Sequence, residues 1–319
     1  MTRTLVLGGT AWLGRLVAAD ARDRGHDVTC LARGESGSVP DGVRLVHGDR
    51  ARPDAYAALD GEWDLVLDVA RVPSHVRGAV AALGRRAGHW TFVSSGSVYA
   101  DQSGPLDESS PLLPPGEDEA PYGEAKSACE QALPSGATIV RAGLLAGPGD
   151  PSDRSGYYVA RMAAVPDEPV LVPDVADQPM QVLDVRDLAG WLVDLAVAGE
   201  PGAVNAAGAP STVGELVELS VRVARHRAGT VAAPAERLRE LGVQEWAGDR
   251  SLPWWLPPTH VGLGRMSVTE ASRRGLRPRP LEATLADVLD DEARRGPDRP
   301  RRAGLSRAEE ADLLGRLAR

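Results

Sequence analysis

Lysine is nearly absent: of the 36 basic residues in this 319-residue chain one is a lysine, Lys126, and the rest are arginine. Such a bias fits a GC-rich coding background, in which arginine replaces lysine wherever a plain surface cation serves. A lysine that persists then marks a place where a compact ammonium is wanted rather than a planar guanidinium. Cysteine is scarce too. Cys30 and Cys129 fall in a strand and a helix by pattern and match no metal-ligand spacing, so they read as reduced core thiols. His75, His89 and His260 share no ligand spacing either, and no metal is expected. No window approaches the roughly 20 apolar residues of a membrane span. The opening "MTRTLVLGG" reads as a strand, without the basic stretch, apolar run and cleavage site of a secretory leader, so a cytoplasmic location is expected. An excess of positive charge is also missing. The net charge of -9 argues against a general nucleic-acid binder, while a small anionic ligand stays compatible with a local positive pocket.

What is present is a 43% hydrophobic chain, enough to bury a substantial core. In the first half, short apolar runs alternate with helical ones. Strands are expected at Thr4–Leu7, Asp27–Ala32, Val43–Val46, Asp64–Val69, Trp90–Ser94 and Thr138–Arg141, with helices at Leu13–Arg24, Ser74–Ala87 and Tyr122–Leu133. That rhythm predicts an α/β fold, a Rossmann-type doubly wound parallel sheet, followed by a smaller C-terminal α/β substrate lobe. The proline- and acid-rich stretch Asp101–Pro121 reads as a long surface connector, or a flap over a site. Further on, Met180–Val185 reads as a strand, Asp187 as the cap of a helix running to Ala198, and Ala203–Asn205 as a return to the sheet. Capping-box spacing occurs at Thr212/Glu215, Ser267/Glu270 and Ser306/Glu309. The expected division is a dinucleotide-binding domain over 1–205 with a substrate-lobe insertion at about 152–179, a substrate lobe over 206–295, and a linker and terminal helix over 296–319. The arginines of "GPDRPRRAG" in that linker read as a solvated hinge.

Two local patterns carry chemistry. "LVLGGTAWLGRLV" leads from the first strand straight into the first helix, with Gly8, Ala11 and Gly14 at the three small positions of a nucleotide turn. Small residues there let backbone approach a pyrophosphate, which then sits against the helix amides and the positive end of the helix dipole. The second strand ends "CLARG", so Arg33 stands where an NADP 2′-phosphate would lie, with no carboxylate at the strand end itself and Glu35 beyond it. NADP(H) is preferred on this basis, and NAD(H) remains open. Second, Tyr122 and Lys126 are four apart and share one helix face. An ammonium beside a phenol lowers its pKa from about 10 and makes it a usable proton donor and acceptor. An arginine could not join such a proton relay, which gives the solitary lysine its reason.

With "GGTAWLG", "GDRARP", "VSSGSVY", "PYGEAK", "RAGLLAGPGD" and "VLDVRDLA" in order, the chain resembles the extended short-chain dehydrogenase/reductase superfamily, in its NAD-dependent epimerase/dehydratase group, and within it bacterial epimerase-like reductases. The resemblance runs from residue 1 to about Ala198. It implies a Ser95, Tyr122, Lys126 catalytic set: Ser95 bonding the substrate oxygen, Tyr122 exchanging its proton, Lys126 also gripping the nicotinamide ribose. It implies phosphate contacts from Thr10, Trp12 and Leu13, an adenine side at Asp49 and Arg50, a nucleotide lining at Ala70, a nicotinamide side at Gly143 and Leu144, and Ser97 facing substrate. Two departures narrow the activity. Gly96 and Ser97 stand where dehydratases of this superfamily carry an acidic pair, and "AGLLAGPG" lacks the asparagine with which nucleotide-sugar epimerases hold a diphosphate.

Substrate contacts are expected from Arg154, Tyr157 and Tyr158 in "GDPSDRSGYY" and from Gln181. Trp246, Trp254 and Trp255 either wall an apolar pocket or fill a core. The reading that follows is an NADP(H)-dependent oxidoreductase acting on a carbonyl or alcohol of a small molecule, as a monomer or homodimer. The alternatives are a nucleotide-sugar epimerase with tightly held NAD(P), and a non-catalytic dinucleotide-binding scaffold.

Overall fold

Runs such as "TLVL" and "VTCLA", apolar on both sides of the pleat, belong in a parallel sheet covered on both faces. The computed structural model describes residues 1–296 and 299–319 of the chain; Pro297 and Asp298 of the expected linker lie outside the described residues. Its central sheet is built from β1 (Arg3–Leu7), β2 (Asp27–Ala32), β3 (Arg44–His47), β4 (Trp63–Asp68), β5 (Ala87–Ser95) and β6 (Thr138–Ala142). The short β7 (Leu144–Ala146), β8 (Val170–Pro173), β9 (Pro179–Met180) and β10 (Val182–Asp184) follow outside it, and β11 (Gly202–Ala206) returns as its seventh strand. The order is β11-β6-β5-β4-β1-β2-β3, every pair parallel. The order reverses between β4 and β1, which opens a crevice at their carboxyl ends.

Helices cover both faces. On one, α1 (Trp12–Asp23) packs Val17, Ala18 and Ala21 with Leu188, Trp191 and Leu192 of α5 (Val185–Ala198). On the other, α2 (Pro73–Leu83) and α3 (Tyr122–Gln131) bury Val76, Leu83 and Cys129 against Leu5, Val66 and Phe92. Cys30 and Cys129 are free and buried.

A second core gathers the remainder. It joins α4 (Tyr157–Ala164), α6 (Val213–Ala224), α7 (Ala235–Glu240) and α10 (Arg307–Leu317) around Trp254, Trp255 and Leu256, with β8 paired to Thr230–Ala233. Between them in sequence, α8 (Thr269–Arg273) and α9 (Leu281–Arg295) run beside β11 and α6.

Several local expectations change. "MQVLDV" is two strands broken at Gln181: β9 pairs with Ser211–Thr212 and β10 with β7, and the Gln181 side-chain amide at the break donates to Met266 O and Gly208 O and accepts from Met266 N. Asp184, not Asp187, caps α5, accepting from Arg186 N, while Asp187 binds Arg279. The capping boxes at Thr212/Glu215 and Ser306/Glu309 form. That at Ser267/Glu270 does not, since the helix starts at Thr269 and Glu270 pairs with Arg273 and Arg274. The Asp101–Pro121 segment is pinned along its length: Leu113 N bonds Val98 O, Leu106 bridges to Met266, and Asp118 accepts from Ser74 N at the start of α2. Two of the three linker arginines are not solvated, while the side chain of Arg302 is exposed. Arg299 and Arg301 bind the buried Glu292, and Arg295 and Arg299 bind the buried Asp153. A buried carboxylate without a partner would be costly, and these cations supply the pairing.

Candidate active site

Gly8 ends β1 at φ +98°, a backbone that favours glycine, and its missing Cβ would lie 2.7 Å from Val69 at the end of β4. A Cβ on Gly14 would stand 2.3 Å from Gly8 O, so the first turn of α1 folds tightly back on the strand end. Ala11, at the N-cap of α1, makes no side-chain cap. The result is a turn of backbone amides lying open beside the β1/β4 crevice. Along this crevice, Thr10, Ala11, Arg33, Asp49 and Ala70 line one stretch, and Trp12, Leu13, Ser95, Tyr122, Lys126 and Gly143 line the next. The sequence-predicted residues at both ends therefore meet in one groove.

At two positions in the groove the guanidinium is already paired within the protein. Arg50 forms a two-pronged ion pair with Asp68, both bonds 2.8 Å, and also donates to Tyr56 Oη and His75 O. Its guanidinium is turned into the protein, held by a carboxylate that is fully buried at the end of β4. Arg33 is exposed and ion-paired with Glu35 at 3.1 Å.

At the far end of the groove, α3 begins at Tyr122, which sits at the mouth with 49% of its surface exposed, while Lys126 one turn later is 2% exposed. Lys126 Nζ donates to the carbonyls of Ala70, at 2.6 Å, and Val93. It also lies 4.2 Å from the ring centre of Phe92, the chain's sole phenylalanine. Burial lowers its pKa to about 8. The Tyr122 phenol goes the other way: crowding by the crevice walls desolvates it and raises its pKa, against the pull of the Ser95 hydroxyl and the Arg71 charge. The expected lowering by Lys126 is not found, because two carbonyls take up the ammonium. Ser95 Oγ accepts from Ser97 N at 3.1 Å and donates to Ser97 Oγ, so the 3-10 turn Gly96–Val98 orients it at the end of β5.

Beyond Tyr122 the groove widens into a cavity of about 690 Å³. Ser95, Ser97, Tyr122, Gly143 and Leu144 form its floor, and Trp12, Arg154, Trp246, Leu256 and Leu263 its walls. Trp12 is anchored by its Nε1 donating to Pro148 O. Of the expected substrate contacts, Ser97 and Arg154 reach this cavity. Tyr157 and Tyr158 do not: each is 1% exposed, and they pack edge-to-face in the second core. Gln181 is likewise a buried bracket between backbone strands. The tryptophans divide, Trp254 and Trp255 in the core and Trp246 on the cavity wall. Asp68, Arg71, Asp150, Glu245 and His260 were not foreseen. Arg71 follows β4, and its place at the strand end was the one signal that pointed to it. Among the described residues no group of three or more His, Cys, Asp or Glu is placed to hold a metal ion, and no helix is long and apolar enough to cross a membrane.

Comparison with known proteins agrees with this architecture. Solved structures that match include a Burkholderia cenocepacia J2315 protein provisionally assigned as an epimerase, at 23% identity and TM-score 0.67, over 91% of this chain and 97% of that one. Two from Bacillus cereus are a UDP-N-acetylglucosamine 4-epimerase (16%, TM-score 0.68, 93% and 100% covered) and a UDP-glucuronic acid 4-epimerase in complex with NAD (15%, TM-score 0.66, 92% and 99% covered). At such identities the likeness establishes the fold. No curated protein matches in sequence. Residues 4–207, well over half the chain, match the family model, and the chain belongs to the NAD dependent epimerase/dehydratase family.

Proposed function

We propose that this chain is a nicotinamide-dinucleotide-dependent oxidoreductase that interconverts a carbonyl and an alcohol on a small molecule, with Ser95, Tyr122 and Lys126 as its working set. The observation that carries this reading is their convergence: a half-exposed phenol and an oriented hydroxyl share one cavity floor, at the end of a groove that starts at a cradle a Cβ would fill. The turn of Gly8, Thr10, Ala11, Trp12, Leu13 and Gly14 fits a pyrophosphate. Asp49 and Ala70 fit the adenosine half, and Gly143, Leu144 and Lys126 the nicotinamide half. When bound, the dinucleotide supplies or accepts the hydride.

The protein's own part is the proton. With its pKa raised, Tyr122 is protonated at neutral pH and suits the acid's role, giving its proton to a substrate oxygen as the carbonyl carbon is reduced. Ser95 donates a second hydrogen bond to that oxygen once its own hydroxyl turns from Ser97. Lys126, buried and charged below about pH 8, sets a positive potential under the groove. At the adenosine end, Arg33 supports NADP(H). Glu35, paired to it, offers an acceptor for a 2′-hydroxyl and repels a 2′-phosphate, and one similar structure was solved with NAD. The reading that meets both is a site that takes NAD(H) readily and NADP(H) when Arg33 leaves Glu35.

The test is Tyr122→Phe. It is expected to bind dinucleotide like the parent while turnover of a carbonyl substrate falls by about 10²–10⁴-fold; equal turnover by both proteins would remove Tyr122 from the mechanism. The similar UDP-sugar 4-epimerases favour a second reading, a closed oxidation–reduction cycle on a sugar nucleotide. Dinucleotide that stays bound through gel filtration, with no net consumption during turnover, would favour that cycle over net reduction.

A further inference from the structure

Three charged side chains border the cavity besides the exposed His260, and two of them are committed elsewhere. Asp150 spends both carboxylate oxygens on Ser152 and Ser155, taking the backbone N–H and the hydroxyl of each. Glu245 accepts both prongs of Arg239. Arg154 has no ion-pair or side-chain hydrogen-bond partner among the described residues; its Nε is buried without one. Its Cζ lies 4.1 Å from the ring centre of Trp246, a cation–π contact. Its two terminal nitrogens make no hydrogen bond among the described residues, and a guanidinium with both free can take a carboxylate through two parallel bonds.

The backbone around this pair is strained. Asp153, next to Arg154, is at φ +61° and Trp246 at φ +66°, both in the left-handed region that residues other than glycine rarely adopt. Such conformations cost of order 1–3 kcal/mol and persist where the surroundings over-determine them. Here they do: the Asp153 carboxylate is held by Arg295 and Arg299, at 2.9 and 2.6 Å, and by Arg302 N. The chain thus maintains, at a cost, one desolvated guanidinium with no ion-pair partner, supported only by the through-space charge of Asp150, in a cavity walled by Trp12, Leu256 and Leu263. Arg71, the next cation, stands on the dinucleotide side of Tyr122.

We propose that the substrate is a small apolar molecule carrying a single carboxylate, which Arg154 holds against Trp246 while its carbonyl or hydroxyl faces Ser95 and Tyr122. One guanidinium balances one negative charge. A sugar nucleotide would bring a diphosphate into a cavity that has no second free cation among its described lining, so the proposal also separates this chain's substrate from those named for the similar epimerases. It rests on the cavity being the substrate site of the oxidoreductase described above.

Binding, not turnover, tests it. Benzoate, 3-phenylpropionate and their primary amides, with UDP as a diphosphate probe, are titrated calorimetrically into the full chain with NADH present. Each carboxylate is expected to bind at least about tenfold more tightly than its amide. Arg154→Met should erase that preference, and Arg154→Lys should keep part of it; thermal melting confirms that both variants fold. Amides that bind as well as acids, no carboxylate binding at millimolar concentration, a preference that survives Arg154→Met, or UDP bound more tightly than every acid would each overturn the proposal. Tyr122→Phe should retain the preference whatever its turnover, so a failed catalytic assignment and a failed carboxylate site are told apart.

Discussion

Burial decides what Lys126 does with its charge. Its pKa of about 8 lies below the ordinary 10.5 because the ammonium is stripped of water beneath the groove. Between those two values an unfolded chain still carries the proton and the folded protein has shed it. Lys126 therefore makes a contribution to unfolding free energy that grows with pH across that window, from about 8 to 10.5, against the opposite slope of the buried Cys30 and Cys129 thiols, and Lys126→Met should take that contribution out of the slope. Urea denaturation at the two ends of the window measures it; a slope unchanged by the substitution would mean the lysine titrates normally. Turnover should run the other way and fall as pH passes about 8, when the folded protein loses the ammonium. The composition alone singled out this residue. What it did not reveal was the partner set: the ammonium faces Ala70 O and Val93 O rather than the phenol one turn away, a choice made by backbone carbonyls from two other strand ends.

The first strand–turn–helix is held by missing atoms. A Cβ at Gly9 would meet Cys30 Sγ at 2.2 Å, and burial pushes that thiol up to about 12, so Cys30 acts as packing rather than as a nucleophile. Gly9→Ala should cost about 1–3 kcal/mol by overpacking, and Cys30→Ala in the same chain should restore only part of it, because the Cβ of residue 30 would itself stand 2.7 Å away. Additive losses in chemical denaturation would show that the two do not press on each other. Behind β5 and β6, Arg141 and Glu130 form a buried ion pair at 2.9 Å, with Ser94 donating to the same carboxylate. Glu130→Leu strands the guanidinium and should cost about 3–5 kcal/mol; a melting curve close to the parent's would argue that water reaches it. At this scale, the first six sheet strands and the tight glycine turn into α1 were legible because each is a continuous local pattern. Gln181, Tyr157 and Tyr158 were not. Their polar atoms read as ligand-facing until the second core, assembled from segments more than a hundred residues apart, enclosed them. The capping boxes show the same limit, since spacing alone could not exclude Ser267/Glu270.

Across the whole molecule, the end of the chain reaches back to the cavity. Arg295, Arg299 and Arg302 hold Asp153, and Glu292 gathers Arg295, Arg299 and Arg301 around it. Composition suggested a solvated hinge there because arginine runs usually are; two buried carboxylates, Glu292 nearby in sequence and Asp153 far away, reversed that for Arg299 and Arg301. Asp153→Asn should therefore loosen a loop that the substrate depends on. It is expected to lower stability by about 1–3 kcal/mol, discounted for the partial exposure of the arginines, and to weaken carboxylate binding while leaving dinucleotide binding intact. Titration calorimetry with 3-phenylpropionate and with NADH checks both halves. The proposed dinucleotide groove draws on the sheet, and the cavity on the sheet and the second core together.

The most direct measurement is a crystal structure of the protein with NADH. Pyrophosphate against the Gly8–Gly14 amides, with the nicotinamide between Gly143 and the Ser95–Tyr122 floor, is the result predicted. A dinucleotide bound elsewhere, or one whose nicotinamide is cut off from the Tyr122 phenol, would contradict the account.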